Sequence, residues 1–252
     1  MKLVDKILGW KENIVAAEIS DSHRLTISKS GYGKTLRYDD VVYSRIMNDS
    51  IYTEEYWDFL LPPAFFKEKP DMLMIGLGGG TIPYQLYKLM GNDFSLDVVE
   101  NNEAMIRLFG KFAGPEVKIN LIKGDGAEYV KRCRDKYDVI ILDAYKGGSV
   151  PDVFLTHEFT ENASNCLKER GILGINFISS MTGTEIFRSY LAGLKDRFNV
   201  YRIETLPYSI NYVLLCLKSL GKAEIIDRIK KNMPITQENV YILNGYREMA
   251  AL

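Results

Sequence analysis

Residues 72–81 read MLMIGLGGGT, an apolar run that ends in four glycines between Gly76 and Gly80. The pattern predicts a buried strand over 72–76, a tight turn, and a helix from about residue 80 to 90. In an open α/β sheet, ligands bind beyond the carboxyl ends of the strands. Glycines there let a ligand approach the backbone, and the helix N-terminus offers unpaired N–H groups. A tight turn with no ligand is the alternative. The dinucleotide fingerprint wants glycine at its first, third and sixth positions, and the sixth here is Thr81.

Downstream, apolar strands alternate with helices. Strands are expected at 94–100, 117–125, 137–144 and 171–178, and helices at 102–112, 126–135, 156–169 and 182–195. Strands apolar on both faces imply a mostly parallel sheet covered on both sides. The runs 197–205 and 211–219 are close enough for a hairpin, which makes the last strand antiparallel. Upstream, IVAAEISD, HRLTISKS, GKTLRYDD and VVYSRI are short and β-like. The stretch 53–67 reads as a helix broken at Pro62-Pro63. The expected fold is therefore α/β: a seven-stranded Rossmann-like sheet with a small N-terminal β-rich region. The expected divisions are 1–52 (β-hairpins), 53–220 (the ligand-binding α/β domain) and 221–252 (a helical tail).

Composition narrows the chemistry. The chain has 252 residues, 46% hydrophobic and 26% charged, and its 32 basic and 33 acidic side chains nearly cancel. A nucleic-acid partner is not expected from that balance. Lys131, Arg132 and Arg134 cluster, as a solvated helix face does. Cys133, Cys166 and Cys216 lie far apart in sequence, with neither metal-ligand spacing nor a disulfide framework. His23 and His157 are the only histidines, so neither a metal site nor a histidine-based triad is expected. The opening MKLVDKILGWKEN has no continuous apolar run, and no 18-residue apolar segment follows. The expectation is a cytoplasmic chain with no membrane partner.

Three acids fall at successive strand ends. Glu100 lies about 20 residues past the glycines, where an acid accepts from ribose hydroxyls; alternatively it caps the next helix with Asn101. Asp125, followed by Gly126, could accept from an adenine amino group or form a capping box with Glu128. Asp143 ends the fourth strand, where it could hold or deprotonate a nucleophile, counter a cation, or merely anchor its loop. Tyr145 could offer a cation an aromatic face. Such a ring of acids repels a pyrophosphate and suits a phosphate-free cation. S-adenosylmethionine or its decarboxylated form is therefore favoured over NAD. The glycine loop Gly76, Gly78, Gly79, Gly80 would then floor the amino-acid end of that sulfonium nucleoside.

GLGGG at 76–80, VVE ending at Glu100, GDGAEYV at 124–130, YDVIILDAY at 137–145 and VPDVFLTHEF at 150–159 together resemble the spermidine synthase family. The resemblance covers roughly residues 35 to 180. It implies a class I methyltransferase-type sheet, with Glu100 on the ribose, Asp125 and Gly126 near the adenine, and Asp143 at the reacting centre. It also implies a tyrosine near the acceptor, matched by Tyr56 with Tyr52 as competitor, and a homodimer. Two departures stand out. Aminopropyltransferases carry an aspartate where this chain is aligned with Gly79, and a second one where it has Lys146 followed by Gly147. Both acids serve amines. An opposite charge at about 4 Å is worth roughly 4 kcal/mol at an effective dielectric of 20, so an inward lysine would disfavour a dicationic acceptor. Methyl transfer from S-adenosylmethionine to an unidentified small molecule is thus expected first. Aminopropyl transfer from the decarboxylated form is the alternative, and a non-catalytic nucleoside-binding protein a further one.

Overall fold

The computed structural model describes residues 12–252 except Asn92, Gly147, Gly148 and Tyr208. The reading of the first eleven residues, and that of Gly147, lies outside the described residues.

The N-terminal region is a four-stranded antiparallel meander: β1 (Asn13–Ser20), β2 (His23–Lys29), β3 (Gly33–Tyr38) and β4 (Val41–Met47). The main sheet holds β5 (Asp71–Ile75), β6 (Ser95–Glu100), β7 (Asn120–Lys123), β8 (Tyr137–Leu142), β9 (Leu167–Ile178), β10 (Asn199–Glu204), β11 (Asn211–Leu217) and β12 (Ala250–Ala251). Its spatial order is β12-β10-β11-β9-β8-β5-β6-β7. The pairs among β5–β9 are parallel, and β11 runs antiparallel to both β9 and β10. Among the described residues the sheet has eight strands rather than the expected seven, because Ala250 and Ala251 pair with Arg202 and Tyr201 at its edge.

The α-helices among the described residues are α1 (Thr81–Met90), α2 (Glu103–Ala113), α3 (Gly126–Lys131), α4 (His157–Cys166), α5 (Glu185–Lys195), α6 (Lys222–Asn232) and α7 (Val240–Glu248). Side chains alternate across each strand. Met72, Met74, Val98, Val139 and Ile141 therefore enter one core, together with Ile225, Ile229, Ile242 and Tyr246 of the tail. Leu73, Ile75, Val99, Ile140 and Leu142 enter the other, under α4 and α5. A third cluster joins Leu25, Ile27 and Leu36 of the meander to Met105, Leu108 and Phe112 of α2. That packing holds the meander over the carboxyl ends of β5 and β6.

Three further expectations change. Residues 53–67 form two 3₁₀ turns, Tyr56–Leu60 and Pro62–Phe65, instead of a broken helix. The two prolines lack the N–H groups a helix would bond, and the buried Asp58 carboxylate takes the N–H groups of Thr53 and Glu54. The helix after Asp125 stops at Lys131, four residues early. Finally, Cys133 and Cys166 form a disulfide across 33 residues. Sequence spacing does not show it, because the chain folds the loop after α3 against the end of α4.

Candidate functional site

The site is built from strand ends. Gly76 has φ of 88°, and a Cβ there would lie 2.4 Å from the Asp143 carbonyl oxygen, so only glycine fits where β5 and β8 finish side by side. Asp143 donates its backbone N–H to Ile75 O at 2.9 Å, and Gly76 donates to Val99 O at 2.9 Å. These bonds bring the glycine loop, the end of β6 and Asp143 around one crevice.

Glu100 is buried, and both its carboxylate oxygens are engaged. Leu77 N–H donates to Oε2 and Asn102 N–H to Oε1, each at 2.8 Å. Burial pushes its carboxyl above the usual range, and these amides work against that. Glu100 therefore fixes the glycine loop, and it retains acceptor capacity because each oxygen has two lone pairs. The cap of α2 is Asn102, whose Oδ1 accepts from the N–H groups of Ala104 and Met105. Asp125 does cap α3: its Oδ1 accepts from Ala127 N–H at 2.8 Å and Glu128 N–H at 3.0 Å. Its Oδ2 stands outside that cap. A Cβ on Gly126 would lie 2.3 Å from Ile75 Cγ2, which sets the start of α3 directly against β5.

Asp143 is the centre of the arrangement. It is half-buried, and burial pushes its carboxyl from 3.8 up to about 7, against hydrogen bonding from Asn176 and Tyr56. Among the described residues no cation contributes to that position. Asn176 Nδ2 donates to Asp143 Oδ1 at 2.8 Å. Tyr56 and Tyr145 both feel the Asp143 charge, and burial holds both phenols well above their usual range. Tyr145 donates to Asn176 O at 3.2 Å. Asp143, Tyr145 and Tyr56 therefore lie beside one another at the crevice. Tyr52 does not join them: it is buried, and its hydroxyl accepts from Asn239 in the tail.

Two residue readings change. A Cβ on Gly79 would point at Phe112 Cδ1 (3.0 Å), Ser44 Cβ (3.0 Å) and Leu36 Cδ1 (3.1 Å). A side chain at position 79 would enter the packing between the meander and α2, so the missing carboxylate there says nothing about the cofactor's amino-acid end. Gly80 likewise faces the Phe109 ring. Lys146 is exposed, and its backbone pairs with Ser149 across the loop. It does not lie against the Asp143 carboxyl.

Four contributors were not legible in sequence. Tyr43 of β4 lies within the fields of both Glu100 and Asp143, and burial raises its phenol pKa first of all. Its neighbour Ser44 accepts Gly79 N–H at 2.6 Å, which docks the meander on the glycine loop. Asn176 and Asn211 stand behind Asp143 on β9 and β11. Only tertiary pairing brings these strands together.

The sequence profile of the spermine/spermidine synthase domain matches residues 61–214. A polyamine aminopropyltransferase of Vibrio vulnificus is 30% identical over 177 residues, which are 67% of this chain and 57% of that protein. One from Methanocaldococcus jannaschii is 27% identical over 96% of this chain and 83% of its own length. The solved structure of a probable spermidine synthase from Corynebacterium glutamicum superposes with a TM-score of 0.70 at 18% identity, over 86% of this chain and 87% of that one. That last likeness shows the fold, a Rossmann-like methyltransferase-type sheet. The profile covers more than half of the sequence, and the chain belongs to the spermine/spermidine synthase domain family.

Proposed function

We propose that this protein transfers an aminopropyl group from decarboxylated S-adenosylmethionine to a small amine. The observation that carries the reading is Asp143: a half-buried carboxyl at the strand-end crevice that accepts from Asn176 at 2.8 Å, is pushed up to about 7 by burial, and has no cationic partner among the described residues. A general base works best when its pKa lies near the operating pH. Burial makes this carboxylate a better proton acceptor than an ordinary aspartate, suited to the proton that an attacking amine releases. The relatives named above are polyamine aminopropyltransferases, and the chain spans about half to four-fifths of their lengths.

The sulfonium supplies the leaving group. The acceptor nitrogen forms a C–N bond as the C–S bond breaks, the electron pair leaves on sulfur, and Asp143 takes the proton released from nitrogen. Tyr56 and Tyr145, neutral at physiological pH, flank the carboxylate and position the amine. Glu100 and Asp125 have the acceptor capacity for ribose hydroxyls and an adenine amino group. Orientation and exclusion of water do most of the work.

Only the acid missing at Gly79 and the cation at Lys146 favour methyl over aminopropyl transfer. Neither position bears on the Asp143 crevice, which favours the aminopropyl alternative. A cytoplasmic location and a homodimer belong to the same proposal, although the Cys133–Cys166 disulfide is unusual for a reducing compartment. Among the described residues no helix is long and apolar enough to cross a membrane.

Calorimetric titration with both nucleosides tests the reading. Tighter binding of the decarboxylated form is expected. Preference for intact S-adenosylmethionine would return methyl transfer to first place, and binding without turnover in an amine panel would favour the non-catalytic alternative.

A further inference from the structure

Behind Asp143 lies a chain of side-chain amides with a direction. Asn211 Nδ2 donates to Asn176 Oδ1 at 2.9 Å, and Asn176 Nδ2 donates to Asp143 Oδ1 at 2.8 Å. Asn176 is 1% exposed, so water cannot replace either partner. Asn211 also lies near the Tyr145 phenol, where it works against the rise that burial imposes. Its own backbone oxygen accepts from Thr205 Oγ1 at 2.7 Å and Ser209 Oγ at 3.1 Å, which anchors the start of β11. One residue of the β10–β11 hairpin thus reaches Asp143 through a single intermediary.

An asparagine amide can turn either way. With its oxygen toward Asp143 it would repel the carboxylate; with its NH₂ toward Asp143 it stabilises it. Asn211 supports the second orientation, because its N–H donates to the Asn176 oxygen on the β11 side. The NH₂ of Asn176 then faces Asp143. Hydrogen bonds aligned in series also polarise one another. We infer that Asn176 and Asn211 form a one-way amide relay that holds Asp143 in its carboxylate form and positions it, with Tyr145, for proton transfer. They are positioning residues, since neither needs to touch the substrate. The relay deepens the transfer reading given above and rests on it for its catalytic consequence, but not for its electrostatic one.

Among the described residues, the other titratable groups facing Asp143 are Tyr43 from β4, Tyr56 from the 3₁₀ turn and Tyr145 from its own loop. All three phenols are raised, so they stay neutral while Asp143 titrates. The relay is thus the element that works against burial together with the Tyr56 hydroxyl.

The test is a carbon-13 NMR titration of the Asp143 carboxyl in aspartate-labelled protein, assigned with Asp143→Asn. It needs no substrate. Asn176→Leu should raise the midpoint by about one pH unit, the size of one lost charge-assisted hydrogen bond. Asn211→Ala, which leaves the buried position intact, should raise it by about half a unit through the freed amide. In the wild-type protein, the side-chain NH₂ resonances of both asparagines should shift with the Asp143 midpoint. A midpoint unchanged or lowered in a folded variant, or NH₂ resonances that ignore the titration, overturns the relay. The catalytic consequence is read separately: at pH 6 Asn176→Leu should lose about tenfold in turnover and Asn211→Ala about threefold, and both should recover most of it at pH 9. A purely structural defect would lower turnover equally at both. If the wild type transfers nothing, the functional reading fails while the titration still decides the relay.

Discussion

Replacing Asp143 by asparagine should make the folded protein more stable at alkaline pH, although it removes the residue at the centre of the site. The rise of its carboxyl from 3.8 to about 7 means that ionisation costs the folded state more than the unfolded one. At about 1.4 kcal/mol per pH unit, the full rise is worth about 4 kcal/mol. Asp143 is only half-buried, so screening by solvent reduces this to about 2 kcal/mol. The sign follows from linkage: a raised acid contributes stability that is complete below its unfolded pKa and is lost as pH rises through its folded one. The variant should therefore match the wild type near pH 4, gain an advantage between pH 4 and 7, and hold it above pH 8. The substituted amide keeps an oxygen for the Asn176 donor, so the fold loses little. For a chain of this size about 2 kcal/mol is about 4–8 °C in Tm. Thermal unfolding followed by circular dichroism at pH 4.5, 6, 7 and 8.5 measures this. An advantage that does not grow with pH, or a less stable variant at pH 8.5, would refute the buried-carboxyl account.

Gly76→Ala should cost at least about 3 kcal/mol and abolish nucleoside binding, because the new Cβ meets the Asp143 carbonyl at a positive φ; denaturant unfolding and calorimetry check it. Asp58 accepts from Thr53, Glu54, Gln85 and Tyr241, so Asp58→Asn, which turns one acceptor into a donor, should cost about 2–4 kcal/mol and loosen the tail. Limited proteolysis after residue 232 should accelerate in that variant. The disulfide closes a loop of 33 residues, worth about 3–4 kcal/mol in the chain-entropy treatment, so reducing agent should lower Tm by several degrees in the wild type and not in Cys133→Ser.

The parts of the fold written in local periodicity were legible. The run MLMIGLGGGT placed β5, its turn and α1, and the apolar runs at 94–100 and 137–144 placed β6 and β8. The three acids were legible because strand ends carry their position with them. The eighth strand was not, since Ala250-Ala251 becomes a strand only by pairing with β10. Nor were Tyr43, Asn176, Asn211 and the Cys133–Cys166 bond, which depend on contacts between segments far apart in sequence. The raised carboxyl of Asp143 was hidden for the same reason: its cause is burial, which the tertiary fold supplies. Gly79 was misread because alignment gives a position and not the direction of a Cβ.

The proposed reaction at the Asp143 crevice is the movement of an aminopropyl group onto an amine. Mass spectrometry of the products formed from decarboxylated S-adenosylmethionine and a panel of amines tests it most directly. The account predicts 5′-methylthioadenosine together with an aminopropylated amine, both lost in Asp143→Asn. Methylated acceptor and S-adenosylhomocysteine formed from intact S-adenosylmethionine, with no aminopropyl product, would contradict it.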